Sequence, residues 1–173
     1  MVPQVQPDGF GYSETRLADD RYEVRYVTPD VPLPVDDARR LAALTAEKQR
    51  AYDLALWRAA QVALARGYGA LTVEQDNRDA DVTVRRETVP VAGGVYGPYP
   101  GWGYGGPYGY RRFGFASPFW LYNDPFAYRI RLRVTGRITA ALVVAFAKSS
   151  SPGSQDSTAT AQRLAKQYSG AVY

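Results

Sequence analysis

Tyr128–Ala147 reads YRIRLRVTGRITAALVVAFA. In its first half Tyr128, Ile130, Leu132 and Val134 alternate with Arg129, Arg131 and Arg133, the period of a strand with one apolar and one charged face. Thr135-Gly136 predicts a tight hairpin turn. The second half, residues 137–147, is so uniformly apolar that it predicts a central strand buried on both faces. A charged strand beside an apolar one, with helical sequence elsewhere, points to an antiparallel sheet.

Immediately upstream, residues 93–110 read GGVYGPYPGWGYGGPYGY: eight Gly, five Tyr, three Pro, one Trp and one Val, without a charge. Together with the aromatic RRFGFASPFWLYNDPFA that follows, this makes an insertion over residues 90–127. Connections between strands usually take about 4–6 residues, so the segment interrupts an otherwise ordinary domain. Two readings stay open. One is a surface insertion in which dense glycine opposes ordering. The other is an arm that orders against a partner, where Tyr96, Tyr99, Trp102, Tyr104, Tyr108 and Tyr110 supply rigid contact area. A carbohydrate-stacking surface is a lesser alternative. The spacing Gly101-x-Gly103-x-Gly105-Gly106 is no dinucleotide loop, because it lacks a strand before it and a helix after it.

Further upstream, residues 70–75 and 81–88 each read as a short strand, joined by a turn at Asp76-Asn77-Arg78. Glu74, Asp76, Asp79 and Asp81 do not form a calcium loop. With Asp76 as position 1, Arg78 and Ala80 fall where oxygen ligands belong. Residues 36–66 predict a long helix, capped by Asp36 or Asp37 and stopped by Gly67. Leu41, Leu44, Ala51, Ala55, Ala59, Val62 and Ala63 form its apolar stripe, and Arg40, Glu47, Arg50, Asp53, Arg58 and Gln61 fall largely outside it. Residues 29–34 are a proline-rich connector. Residues 21–27 alternate as a strand with Tyr22, Val24 and Tyr26 inward, and residues 1–20 form a flexible lead. At the far end, residues 149–157 read as a polar loop and residues 158–168 as a short closing helix.

The expected architecture is an α+β domain over residues 21–173. It has four to five antiparallel strands with one long and one short helix on one face, in the order β-α-β-β-(insertion)-β-β-α.

The chain has 173 residues and neither cysteine nor histidine, which removes disulfides, Cys/His zinc sites and histidine acid–base devices. Its net charge of +4 is uneven. Residues 1–109 carry 12 basic and 15 acidic side chains, whereas residues 110–137 carry six Arg and one Asp. Arginine outnumbers lysine 18 to 3, a bias suited to planar anions. The row Arg129, Arg131, Arg133 is therefore a candidate anion-binding surface for a lipid headgroup, lipopolysaccharide phosphate or nucleic acid. Ordinary cross-strand pairing with Glu23 or Glu87 is the competing reading. For nucleic acid, the separation of the aromatic tract from the arginine row argues against that partner. There is no G-x-S-x-G, Walker loop or S-x-x-K. The expectation is a non-enzymatic protein with no catalytic, metal-binding or cofactor-binding residues. No apolar run is long enough for a membrane helix, and the first residues lack the pattern of an export signal.

Gly11-Tyr12-Ser13-Glu14-Thr15-Arg16-Leu17, then Arg21-Tyr22, then Arg58-Ala59-Ala60 before Gly67-Tyr68, resembles a family of uncharacterised proteobacterial envelope lipoproteins with a G-[FY]-S-[DE]-T-x-L opening. Ala80-Asp81-Val82-Thr83-Val84, the Gly/Tyr tract and the strand from Tyr128 are similar to a second group of bacterial lipoproteins of unknown function. The resemblance implies export and a periplasmic or envelope location. It also implies tethering through a lipidated cysteine that this chain does not contain. The implied role is a structural or binding module that contacts itself or another envelope protein.

Overall fold

The even-numbered side chains from Val134 to Phe146 are buried, and the odd-numbered ones between them are at least partly exposed. That alternation sits on one uninterrupted strand, because the computed structural model carries Tyr128–Ala147 through Thr135-Gly136 without a turn. Residues 3–4, 9–90 and 128–168 are described. In chain order the elements are β1 (Gly11–Arg16), β2 (Arg21–Val27), β3 (Val31–Leu33), α1 (Asp37–Ala65), β4 (Ala70–Pro90), β5 (Tyr128–Ala147), β6 (Gln155–Asp156) and α2 (Ser157–Tyr168). The fold is α+β, as expected; the described residues form two helices and a sheet of six strands in the order β1-β2-β5-β4-β6, β3 pairing with β5.

Residues 1–85 with 133–173 form one compact unit, and residues 86–132 a second. In the first unit β5 is the spine. Tyr22, Val24 and Tyr26 of β2 lie opposite Val144, Leu142 and Ala140, so bulky rings on one strand meet small or branched side chains on the next. The Tyr22 ring stacks on Phe146 at 5.1 Å, and Tyr68 closes on Phe146 from beyond the long helix at 5.6 Å. Where β2 ends, Thr28 continues the ladder: its N–H donates to Ile138 O at 2.9 Å, and its Oγ1 accepts from Ile138 N at 3.0 Å. β3 then resumes the pairing, with Leu33 opposite Val134 and Val31 opposite Gly136. This strand was hidden in the proline-rich connector. Pro32, which has no N–H to give, is tolerated because β3 is an edge.

Gly136 is a packing gap, not a turn. A Cβ placed there would come within 2.7 Å of Leu33 Cδ1 and 3.7 Å of Leu44 Cδ2, so β3 and α1 both close onto its bare backbone. The expected two-sided burial of the later half of β5 is also corrected. Ala141, Val143 and Ala145 are only partly buried, and over Ala145 the chain runs an ion pair from Arg21 on β2 to Glu74 on β4, 2.6 Å. Small apolar residues leave room for that crossing, which is why the segment reads as apolar without being enclosed.

β4 likewise runs through the expected turn at Asp76-Asn77-Arg78. Leu71 is in the core and Val73 packs against it, but further on Ala80 packs against it too and Arg78 meets the helix. Inward parity thus passes from odd to even, which requires one extra residue in between, as at a β-bulge. Residues 11–16, read as part of the lead, are edge strand β1, registered from Gly11 opposite Val27 to Arg16 opposite Tyr22.

α1 begins and ends as its sequence requires. Asp36 caps it by accepting the Arg39 N–H at 2.9 Å. Gly67, at φ +80°, closes it with bonds from Gly67 N to Leu64 O and from Tyr68 N to Ala63 O. Its buried residues all lie between Ala51 and Ala63, whereas Leu41, assigned to the stripe, is 67% exposed. α2 starts at Ser157, whose N–H donates to Gly69 O at 2.9 Å. The short β6, in the expected polar loop, ties the same corner to Ala70 and Leu71.

Replacing Gly136 separates the two roles. Gly136→Val should lower unfolding free energy in urea by about 1–3 kcal/mol through overpacking against Leu33, with Gly136→Ala milder because only a rotatable methyl must yield. A stabilising Gly136→Val would show that Leu33 does not occupy this gap.

Candidate functional site

Two polar clusters in the first unit gather side chains from distant parts of the chain. The first surrounds Asp53, an acidic residue in the middle of α1 that is only 7% exposed. Gln49, one turn earlier, donates from Nε2 to Asp53 Oδ1 at 3.0 Å. Tyr168, the last residue of α2, donates its hydroxyl to Asp53 Oδ2 at 2.7 Å and accepts from Gln167 Nε2 at 3.1 Å. On the other side Arg78 of β4 donates Nη1 to Gln49 Oε1 at 2.8 Å and grips the Asp76 carboxylate through Nε and Nη2. Its guanidinium lies 4.0 Å over the Tyr52 ring. One strand and two helices are thus joined by a chain of charge-assisted hydrogen bonds.

The electrostatics of this cluster suit holding, not proton transfer. Burial, then the hydrogen bond to Asp53, pushes the Tyr168 phenol up to about 12. Burial and the nearby Asp76 charge also raise the Tyr52 phenol, while the hydrogen bond to Asp76 raises Arg78 further. Each shift moves its group away from neutral pH, the reverse of what a general acid or base needs. Both Asp53 oxygens already have donors.

Asp53 was placed outside the apolar stripe, and the structure corrects that. The run from Asp53 to Leu56 is buried without a break, so α1 is covered on more than one side, by the sheet and by α2. The legible signal was the unbroken Leu54-Ala55-Leu56, too apolar for a helix with one buried face.

The second cluster is built from the residues that carry the first resemblance. Arg58 pairs through Nε with Glu14 of β1, and its guanidinium sits 4.3 Å over the Tyr12 ring. Arg58 Nη1 also donates to Gln61 Oε1 at 3.1 Å. Beyond it, Arg66 lies 4.7 Å over the Tyr22 ring, and the Tyr68 hydroxyl donates to Asp19 O at 3.3 Å. Tyr12 and Glu14 therefore meet at Arg58, and Tyr22 and Tyr68 meet at Phe146, both at the C-terminal half of α1 or just beyond it. Their contacts are those of a staple between an edge strand and a helix.

Of the residues expected to act at a surface, Arg129 and Arg131 are exposed on β5 in the second unit, and Arg133, also exposed, is in the first. Ile130 and Leu132 between them are exposed as well, so burial alternates only from Val134 onward. Arg137, further along the same strand, pairs with Asp30 at 2.9 Å. Tyr96, Tyr99, Trp102, Tyr104, Tyr108 and Tyr110 lie outside the described residues. Among the described residues no group of three or more Asp or Glu side chains could hold a metal ion, and no helix is long and apolar enough to cross a membrane.

Tyr168→Phe should cost about 1 kcal/mol at neutral pH, and Asp53→Ala more, because it removes the acceptor of two hydrogen bonds, from Gln49 and from Tyr168. The pH dependence identifies the bond. The folded state holds the Tyr168 proton more tightly than the unfolded chain, whose phenol titrates near 10. The advantage of the parent over Tyr168→Phe is therefore constant below about pH 10 and shrinks as pH rises towards about 12. Denaturant titrations across that window check this, and an unchanging difference would break the assignment.

No protein-family model, curated protein or solved structure matches this chain.

Proposed function

We propose that this chain is a non-enzymatic structural or binding module of a bacterial cell envelope, tethered on the periplasmic side, whose Gly/Tyr tract is the contact with a second subunit or another envelope protein. One observation carries the division into scaffold and contact arm. The buried core cluster of the described residues is drawn from β2, α1, β4, β5 and α2 of the first unit. β4 and β5, which pair with each other, carry the two ends of the tract at Pro90 and Tyr128. A segment rich in Tyr and Trp is chemically suited to contact area. The envelope location rests on the resemblance of the opening motif.

A second reading is favoured by the exposure of Arg129 and Arg131 on their strand. It is an anion-binding module for phosphorylated lipid, lipopolysaccharide or nucleic acid, using the row that continues to Arg133. Its binding to vesicles containing a phosphorylated lipid should weaken with salt and with Arg129→Glu and Arg131→Glu together.

Size-exclusion chromatography with light scattering on the intact chain and on a deletion of residues 93–110 tests the first reading. The deletion should keep the parent's unfolding midpoint while its assembly state falls below that of the intact chain. Identical masses at high concentration would end the contact role, and an unfolded deletion would end the scaffold division.

A further inference from the structure

Among the described residues, strand β4 has one edge that is paired only at its start. On one side it pairs with β5, and on the other β6 reaches only Ala70 and Leu71. Among the described residues nothing pairs with that second edge from Thr72 onward. An open edge of this length is a template for another strand unless its side chains forbid it. Here they are arranged to permit one particular partner.

From Asp79 to Arg85 the two faces of the strand are segregated. Ala80, Val82 and Val84 are on the face that packs against the core at Ala80, with Val82 36% and Val84 57% exposed. Asp79, Asp81, Thr83 and Arg85 are on the other face, all exposed. No ion pair among the described residues uses Asp79, Asp81 or Arg85. The segment is also complementary to itself. Antiparallel pairing of two copies centred on Val82 sets Asp79 of one opposite Arg85 of the other, twice by symmetry. Asp81 is then diagonal to the same arginine. On the opposite face Ala80 meets Val84 and Val82 meets Val82. Opposite charges and apolar pairs across a strand are the stabilising combinations, and an isologous interface requires this kind of self-match.

We propose that residues 79–85 of β4 form an edge-to-edge interface with a second copy of this chain, joining two sheets about a two-fold axis at Val82. The interface uses neither the Gly/Tyr tract nor the arginine row, so it goes beyond the contact proposed above and stands or falls separately.

The chain has no cysteine, which makes single-cysteine cross-linking unambiguous. In the full chain under mild oxidation, Val82→Cys should give a disulfide-linked dimer, because the two Val82 Cα atoms fall within disulfide reach only in this register. Val84→Cys, which faces Ala80 of the other copy, should cross-link far more slowly. Arg85→Glu should raise the dimer dissociation constant about tenfold in sedimentation equilibrium, and Asp79→Arg combined with Arg85→Glu should restore it. Circular dichroism spectra matching the parent show that each variant is folded. A monomer at all concentrations overturns the proposal. So does a dimer in which Val82→Cys links no faster than Val84→Cys, or one indifferent to the charge exchange. An assembly that persists without the Val82 link would leave the tract contact standing.

Discussion

Strand β5 is hydrogen-bonded along both edges, by β2 and β3 on one side and β4 on the other, so its pleat cannot rotate. Once that is set, the even-numbered side chains from Val134 to Phe146 share one face, and that face has to be covered. α1 provides the cover with a run of alanines and leucines that lets helix and sheet come close. The other adjustments serve the same strand: Thr28 replaces a ladder residue where β2 stops, Leu33 fills the space left by Gly136, and Arg21 reaches over Ala145 to Glu74. These are local solutions to keeping one long strand paired on both sides.

The polar clusters follow from the same arrangement. Covering the sheet with one long helix leaves that helix needing cover of its own, and α2 supplies it. Asp53 sits between the two helices and would be a costly buried charge without Tyr168 and Gln49. Arg58 performs a comparable task at the other end of α1, where it holds β1 through Glu14 and Tyr12. Tyr12, Glu14 and Arg58 are thereby engaged in packing contacts between an edge strand and the helix. The Asp53 cluster satisfies both carboxylate oxygens, whereas in the second the Tyr22 hydroxyl is buried without a hydrogen-bond partner among the described residues. Neither cluster offers a surface for a partner, whereas the edge of β4 from Thr72 onward, with its segregated faces, has no paired strand among the described residues.

The two clusters differ in how visible they were. Tyr12, Glu14 and Arg58 were each singled out as motif residues, but sequence spacing gave no hint that they touch. Asp53 falls outside the one apolar stripe that the spacing predicts, because the helix has two neighbours and that stripe accounts for one. A buried acid surrounded by leucine and alanine is the trace such a site leaves, and it can be read only once the helix is known to be covered on more than one side.

Local chemistry determined the elements with strong signals: both helices, the Asp36 cap, the Gly67 stop, the strand at 21–27 and the strand from Tyr128 onward. These depend on periods of 3.6 and 2 and on backbone freedom at single residues, which neighbours in sequence dictate. Tertiary structure decided what happens at Thr135-Gly136 and at Asp76-Asn77-Arg78, where turn-forming residues lie inside unbroken strands. At the first, the glycine answers to Leu33 and Leu44, far away in sequence. At the second, Asp76 and Arg78 are engaged with each other and with Gln49 and Tyr52 of α1. Whether a glycine bends the chain or makes room for another side chain depends on what packs against it, and that is set by partners that sequence neighbours do not reveal.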